Sequence, residues 1–175
     1  GWTVLHYAAR SGKIECVEMI FSLYPESERL RAVGLQNTQN MTVLHCAASS
    51  GNFETFKFIL SLYPETERLQ VVSMKDNYGR IVLHYVAASQ NPDHSSNLEC
   101  VKTILDLYPE SELFRIVCMT DDRKQTVLHR AGMSGDHEIV KYIMSSLSES
   151  QRFQIVTMKD DSGNALLHCA AKHWL

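Results

Sequence analysis

His45 is followed by Cys46, and His168 by Cys169, the residue types of a thiolate nucleophile and the base that activates it. Five histidines, His6, His45, His84, His129 and His168, each follow a leucine, and imidazole is a common zinc ligand. The octapeptides LYPESERL at 23–30, LYPETERL at 62–69 and LYPESELF at 107–114 each set two carboxylates beside a proline. Such groups serve acid–base work or bind hard metal ions. Hydrolysis, metal binding and acid–base catalysis are therefore the chemistries to weigh.

Spacing argues against each. Adjacent residues on a helix point about 100° apart, so Cys46 and Cys169 are poorly placed to pair with the histidines before them. The Leu-His pairs recur at steps of 39, 39, 45 and 39 residues. On a stack of packed helices, equivalent positions stand about 10 Å apart, whereas zinc holds each ligand about 2 Å from one ion. His94, His137 and His173 have no companion at a ligand spacing and read as solvated surface. The cysteines at 16, 46, 100, 118 and 169 form no C-x-x-C pair, and an odd, scattered set fits free thiols in a reducing, cytoplasmic compartment. No phosphate-cradling glycine loop, G-x-S-x-G elbow or H-E-x-x-H helix occurs. The chain thus reads as non-catalytic, with no metal and no small-molecule cofactor. A formal charge of −3 with acids and bases interspersed lacks the basic stripe of a nucleic-acid binder. No apolar run approaches the roughly 20 residues that span a bilayer, so membrane insertion is not expected either.

What the Leu-His pairs do mark is a repeat, and the repeat organises the elements around them. Units run at about 1–40, 41–79, 80–124 and 125–163, with a partial copy at 164–175. In TVLHYAARSG and TVLHCAASSG, threonine can cap the start of a short first helix and Gly12 or Gly51 can close it in the left-handed conformation. KIECVEMIFSLY follows, with Ile14, Val17, Ile20, Phe21 and Tyr24 at helical spacing, a longer second helix with one apolar face. Proline cannot continue it but suits the start of a third, where glutamate meets the positive end of the dipole. The apolar pairs Leu30/Val33, Leu69/Val72, Phe114/Val117 and Phe153/Val156 lie three apart on that helix and read as core. The polar runs NTQN, DNYG, DDRK and DDSG then read as turns. The third copy has Gln90 in place of glycine and six extra residues, NPDHSS at 91–96, expected as a surface loop. Gly1 fits the last place of such a turn, so the array is expected to be cut from a longer one, the alternative being an end capped by Trp174 and Leu175.

The succession T-V-L-H-x-A-A-x-S-G-x-x-E-x-V, ending in D-x-x-G, resembles the ankyrin repeat. Two features depart from that family's pattern. Valine stands for the usual proline at Val4, Val43, Val82 and Val127, with Leu166 in the last copy, and the step is 39 residues where about 33 is usual. The resemblance implies an all-α, ankyrin-like helical repeat solenoid with an extra short third helix per repeat. It implies that the histidines tie neighbouring loops by hydrogen bonds. It also implies a non-catalytic module that binds another protein through its concave face and turn tips. Carried onto matching positions, the partner-binding residues would be Trp2, Arg10, Met41, Asn77, Tyr78, Arg80, Asp122, Arg123, Gln125, Met133, Asp161 and Asn164. Trp2, Tyr78, Arg80 and Arg123 are the expected anchors, since aromatic and arginine side chains dominate interface energetics. The alternative is a targeting or substrate-recruiting segment of a larger enzyme whose catalytic domain lies outside this chain. Extended units are also similar to those of effectors that intracellular bacteria deliver into host cells, which would place the protein in the host cytosol.

Overall fold

The computed structural model describes residues 1–173, so the expected end cap on Trp174 and Leu175 lies outside the described residues. Helices follow in groups of three. The first group is α1 (Val4–Ser11), α2 (Ile14–Ser22) and α3 (Glu26–Gly34), and the second is α4 (Val43–Ser50), α5 (Phe53–Ser61) and α6 (Glu65–Ser73). The third is α7 (Val82–Ala87), α8 (His94–Leu105) and α9 (Glu110–Val117), and the fourth is α10 (Val127–Ser134), α11 (His137–Ser145) and α12 (Glu149–Thr157). A lone α13 (Leu166–His173) ends the described chain. No strand forms among the described residues beyond one isolated bridge between Gln36 and Thr42. No described helix is long and apolar enough to cross a membrane.

Local chemistry explains where the first helices start and stop. Thr3, Thr42 and Thr126 each accept the backbone N–H of the histidine three residues on, at 3.3–3.4 Å. That histidine's Nδ1 in turn accepts the threonine backbone N–H at 3.2–3.3 Å. It is a reciprocal box with histidine where glutamate is usual, and it satisfies two orphan donors at once. Gly51 closes α4 at φ 69°, and a Cβ there would also collide with Ser89, Asn91 and Asn97 of the next group. α7 keeps only half of the box, Ile81 N donating to His84 Nδ1 at 3.3 Å with no side-chain cap in return, and ends on Ala88 in place of glycine; it is the shortest of the described helices at 6 residues.

The first helices stack in order, α1 on α4, α4 on α7, α7 on α10 and α10 on α13, with the second helices α2, α5, α8 and α11 stacked beside them. Within each V-L-H triplet the valine faces the preceding group and the leucine the following one. Val43, Val82 and Val127 are fully buried but Val4 is 62% exposed; Leu5, Leu44, Leu83 and Leu128 are fully buried but Leu167 is 75% exposed. The core is this ladder plus apolar residues of the second helices such as Val17, Phe56, Ile59, Ile104, Ile139 and Ile143.

Two sequence expectations need correction. The octapeptide's last residue is not core: Val33, Val72 and Val117 are buried, but Leu30, Leu69 and Phe153 stand 47%, 41% and 70% exposed, with Phe114 half-buried. The third helices dock by their last turn, where Ala32 and Val33, Val71 and Val72, and Ile116 and Val117 are buried. Tyr63 Oη donates to Val33 O at 2.6 Å from the neighbouring group. Arg29 and Arg68 reach back to cap the carbonyls of Tyr24 and Tyr63 at 3.1 and 3.2 Å, satisfying acceptors left open where the second helix ends. The first turn of each third helix is thereby held away from the core.

The insertion is also only half loop. Asp93 accepts the backbone N–H groups of Ser95 and Ser96 and so caps a helix that begins at His94, lengthening α8 to 12 residues against 9 in α2, α5 and α11. Asn91 Nδ2 donates to Gly51 O at 2.8 Å and holds the remaining loop against the group before.

Candidate partner-binding surface

The turn tips are built by one side chain each. Asn37, Asp76, Asp121 and Asp160 each accept two backbone N–H groups from the residues two and four further on, all at 2.8–3.0 Å. Left-handed residues complete the reversals: Asn40, Gly79, Lys124 and Gly163 at φ 56–76°, a region that Gly and Asn enter most readily. Neighbouring tips are laced together by Asn77 N to Gln39 O, Asp122 N to Tyr78 O and Asp161 N to Arg123 O at 2.9–3.0 Å. The backbone of the tips is thus fixed while several of their side chains point into solvent.

The histidine row hooks each group to the next. Nε2 of His6, His84 and His129 lies 3.0–3.2 Å from the tip carbonyls of Met41, Gln125 and Asn164. His45 Nε2 meets Met74 O instead at 3.1 Å. Burial pushes the pKa of His45 and His84 down to about 4, against the upward pull of Asp76 and Asp121. His6 is lowered too, again chiefly by burial. The His6, His45 and His84 rings are neutral structural links, each with Nε2 on a neighbouring carbonyl and Nδ1 on the backbone N–H three residues before it. Cys46 beside His45 is fully buried, and burial pushes its thiol up to about 12. It is a protonated core residue, and the His45–Cys46 pair has neither an activated thiol nor a free base. Nor does any group of three His, Cys, Asp or Glu among the described residues have metal-binding geometry.

The predicted contact residues separate into three sets. Asn77, Tyr78, Asp122, Arg123 and Asp161 are exposed on the tips, and Arg10 and Met133 on the first-helix side, with Asn164 half-buried. Trp2 is half-buried, with the Arg10 guanidinium 5.5 Å from its ring and Tyr7 5.1 Å away. Met41 and Gln125 are buried at 6% and 7% exposure and present almost nothing to a partner. Gln125 spends its amide on the Asp160 carboxylate at 3.3 Å and on Met133 Sδ at 3.6 Å.

Arg80 is partly engaged within the fold. Its guanidinium lies 4.9 Å from the Tyr78 ring and 5.9 Å from that of Tyr85, with Nε 3.7 Å from the Asp121 carboxylate. Arg130 Nη2 bonds that same carboxylate at 2.5 Å, and Tyr85 Oη donates to Asp76 at 2.6 Å. Burial alone would raise the Asp121 pKa, but Arg130 and the Gln125 and Arg123 N–H groups outweigh it and hold the carboxyl below its ordinary range. The result is a cluster of two tyrosines and two arginines with two buried carboxylates, Asp76 and Asp121. Tyr85 and Arg130 escaped the sequence reading. They occupy the place just after the histidine, which holds Tyr7, Cys46, Tyr85, Arg130 and Cys169 in turn. A position fixed in the repeat but free in residue type was the available signal.

His94 and His137, expected as separate solvated residues, are brought together, with ring centroids 6.4 Å apart. His94 Nδ1 lies 3.1 Å from the buried Asp136 carboxylate, which also accepts from Asn97 Nδ2 at 3.1 Å. The insertion is thereby joined to the fourth group.

A family model described as ankyrin repeats in three copies matches residues 27–115, just over half of the chain, and a single ankyrin repeat model matches residues 1–22. No curated protein matches the chain.

Proposed function

We propose, from the premise that the chain belongs to the ankyrin repeat family, whose members generally serve as protein–protein interaction modules, that it binds a partner protein across its turn tips and the adjoining side of its first helices. The observation that carries this reading is the contrast at the tips between a cross-linked backbone and exposed side chains. Tyr78 is 46% exposed, Asp122 and Arg123 are exposed beside it, and their backbones belong to the tip-to-tip ladder. Preorganised aromatic and arginine side chains lose little conformational freedom on binding and make strong anchors. Tyr85, Arg80 and Arg130 extend the patch along the first helices, and Trp2, Tyr7 and Arg10 form a second aromatic and basic patch at the start of the array.

Affinity capture from cell lysate, with the chain and its Tyr78→Ala/Arg123→Ala variant as parallel baits, tests the reading. Proteins retained by the first bait and lost from the second, at equal melting temperature, are the expected result. Identical capture by both baits would move the binding surface elsewhere.

A further inference from the structure

The insertion sets two histidines of different groups beside each other. His94 opens α8 and His137 opens α11, two helices that pack together, and their ring centroids are 6.4 Å apart. Each ring has one nitrogen beside a carboxylate: His94 Nδ1 lies 3.1 Å from Asp136 Oδ2, and His137 Nε2 lies 3.2 Å from Glu138 Oε1. An imidazole nitrogen that close to a carboxylate carries the ring proton, which leaves the lone pair on the other nitrogen. For His94 that is Nε2 and for His137 it is Nδ1, and neither has a hydrogen-bonding partner among the described residues. The buried His6, His45, His84 and His129 differ, since each has both nitrogens in hydrogen bonds within the fold.

A carboxylate on one nitrogen fixes the ring and its tautomer and raises the basicity of the other nitrogen, which is how an imidazole is prepared for a metal ion. Asp136 is itself held in place. Its side chain is 1% exposed, caps α11 by accepting Ile139 N at 3.2 Å, and accepts Asn97 Nδ2 at 3.1 Å. Among the described residues no lysine or arginine pairs with it, so positive charge is favoured close by. With metal–nitrogen bonds of about 2.0–2.1 Å, two imidazoles on one ion hold their centroids about 5–6 Å apart. The His137 side chain is 77% exposed and has room to close that difference. We propose that His94 Nε2 and His137 Nδ1 together bind one divalent transition ion such as zinc, with water in its remaining positions. Imidazole selects such ions over magnesium and calcium, which prefer oxygen. No third side chain joins the pair, so the ion is exchangeable. Its effect is to tie the insertion to the fourth group, α8 to α11, by a link that depends on the metal and is separate from the turn tips.

The test uses the 175-residue chain, titrated with zinc chloride in a calorimeter and followed by NMR of its histidine side chains. One saturable zinc per chain is expected, with the His94 and His137 resonances shifting while those of His6, His45 and His84 hold still. His137→Gln should abolish the saturable binding, and Asp136→Asn, which keeps a capping side chain on α11, should weaken it about tenfold. Zinc should raise the melting temperature of the unaltered chain and leave that of His137→Gln where it was, and magnesium should raise neither. Because His137 is largely exposed, the metal-free melting curves of the two should coincide and exclude loss of folding as the cause. The proposal is overturned by equal zinc affinity of the His137→Gln variant, by magnesium matching zinc, or by no saturation at about 1 mM. It is equally overturned if zinc binding survives in His94→Gln/His137→Gln, which would place the ion on the free cysteines or on other histidines.

Discussion

The Leu-His row of the first helices and the Leu/Phe row of the third helices recur at the same steps, but Leu5, Leu44, Leu83 and Leu128 are fully buried while Leu30, Leu69 and Phe153 lie largely in the open. The difference comes from neighbours. The inner first helices α4, α7 and α10 lie between the first helices of adjacent groups and against their own second helices, whereas a third helix buries side chains chiefly through its last turn. Even within the first-helix row, Leu167 is exposed because no described helix covers it. Repetition therefore identifies a position in the array, and the stacking decides which side of that position is inside.

The strongest way to break this comparison is truncation in both rows. Leu44→Ala should cost about 2–5 kcal/mol in urea denaturation, and Leu69→Ala should cost about 1 kcal/mol or less. Equal losses would put both leucines in equivalent surroundings. Acid offers a second probe of the buried row. With His45 and His84 at about 4 in the fold and about 6.5 when unfolded, the unfolded chain binds more protons between those values. Stability should then be full above about pH 6.5 and fall toward pH 4, by about 1–3 kcal/mol per histidine. An unchanged urea midpoint across that window would show that the rings are solvated in the fold.

Smaller effects sharpen the same contrast. Thr126→Ala removes the hydroxyl that accepts His129 N and should lower stability by about 1 kcal/mol. Thr66, exposed in the first turn of a third helix, should tolerate alanine within about 0.5 kcal/mol. The least effect is expected from Leu30→Ser, within about 0.5 kcal/mol in the same urea titration. A loss of several kcal/mol there would restore the core role that the sequence pattern suggests.

Much of the architecture was legible because it rests on short-range chemistry. Thr3, Thr42 and Thr126 cap, Gly12, Gly51 and Gly135 terminate, and the Asx residues at the tips fold the turns. Each acts within a few residues of itself. The candidate site was less legible. Tyr78 and Arg123 are as exposed as their turn positions suggest, but Met41 and Gln125, at the repeat position of Arg80 and Asn164 two places further on, are buried, Gln125 through its contact with Asp160 of the next tip. Arg80 was recognisable as a candidate anchor, whereas its tie to Asp121 and stacking on Tyr85 were not. Asp121 and Asp160 arrive from the following repeats, and Tyr85 from the helix that begins just after Arg80.

The sequence by itself determined the repeat step, the helix starts and ends, the proline-led third helix and the turns, because these follow from satisfying backbone donors and acceptors locally. Only the tertiary structure decided which apolar residues of the third helix face inward, that half of the insertion continues α8, and that His94 meets Asp136. Leu30 and Val33 are three residues apart and differ by about 60° around the helix. That is too little for periodicity to separate, and enough for a neighbouring helix to cover one and leave the other in water.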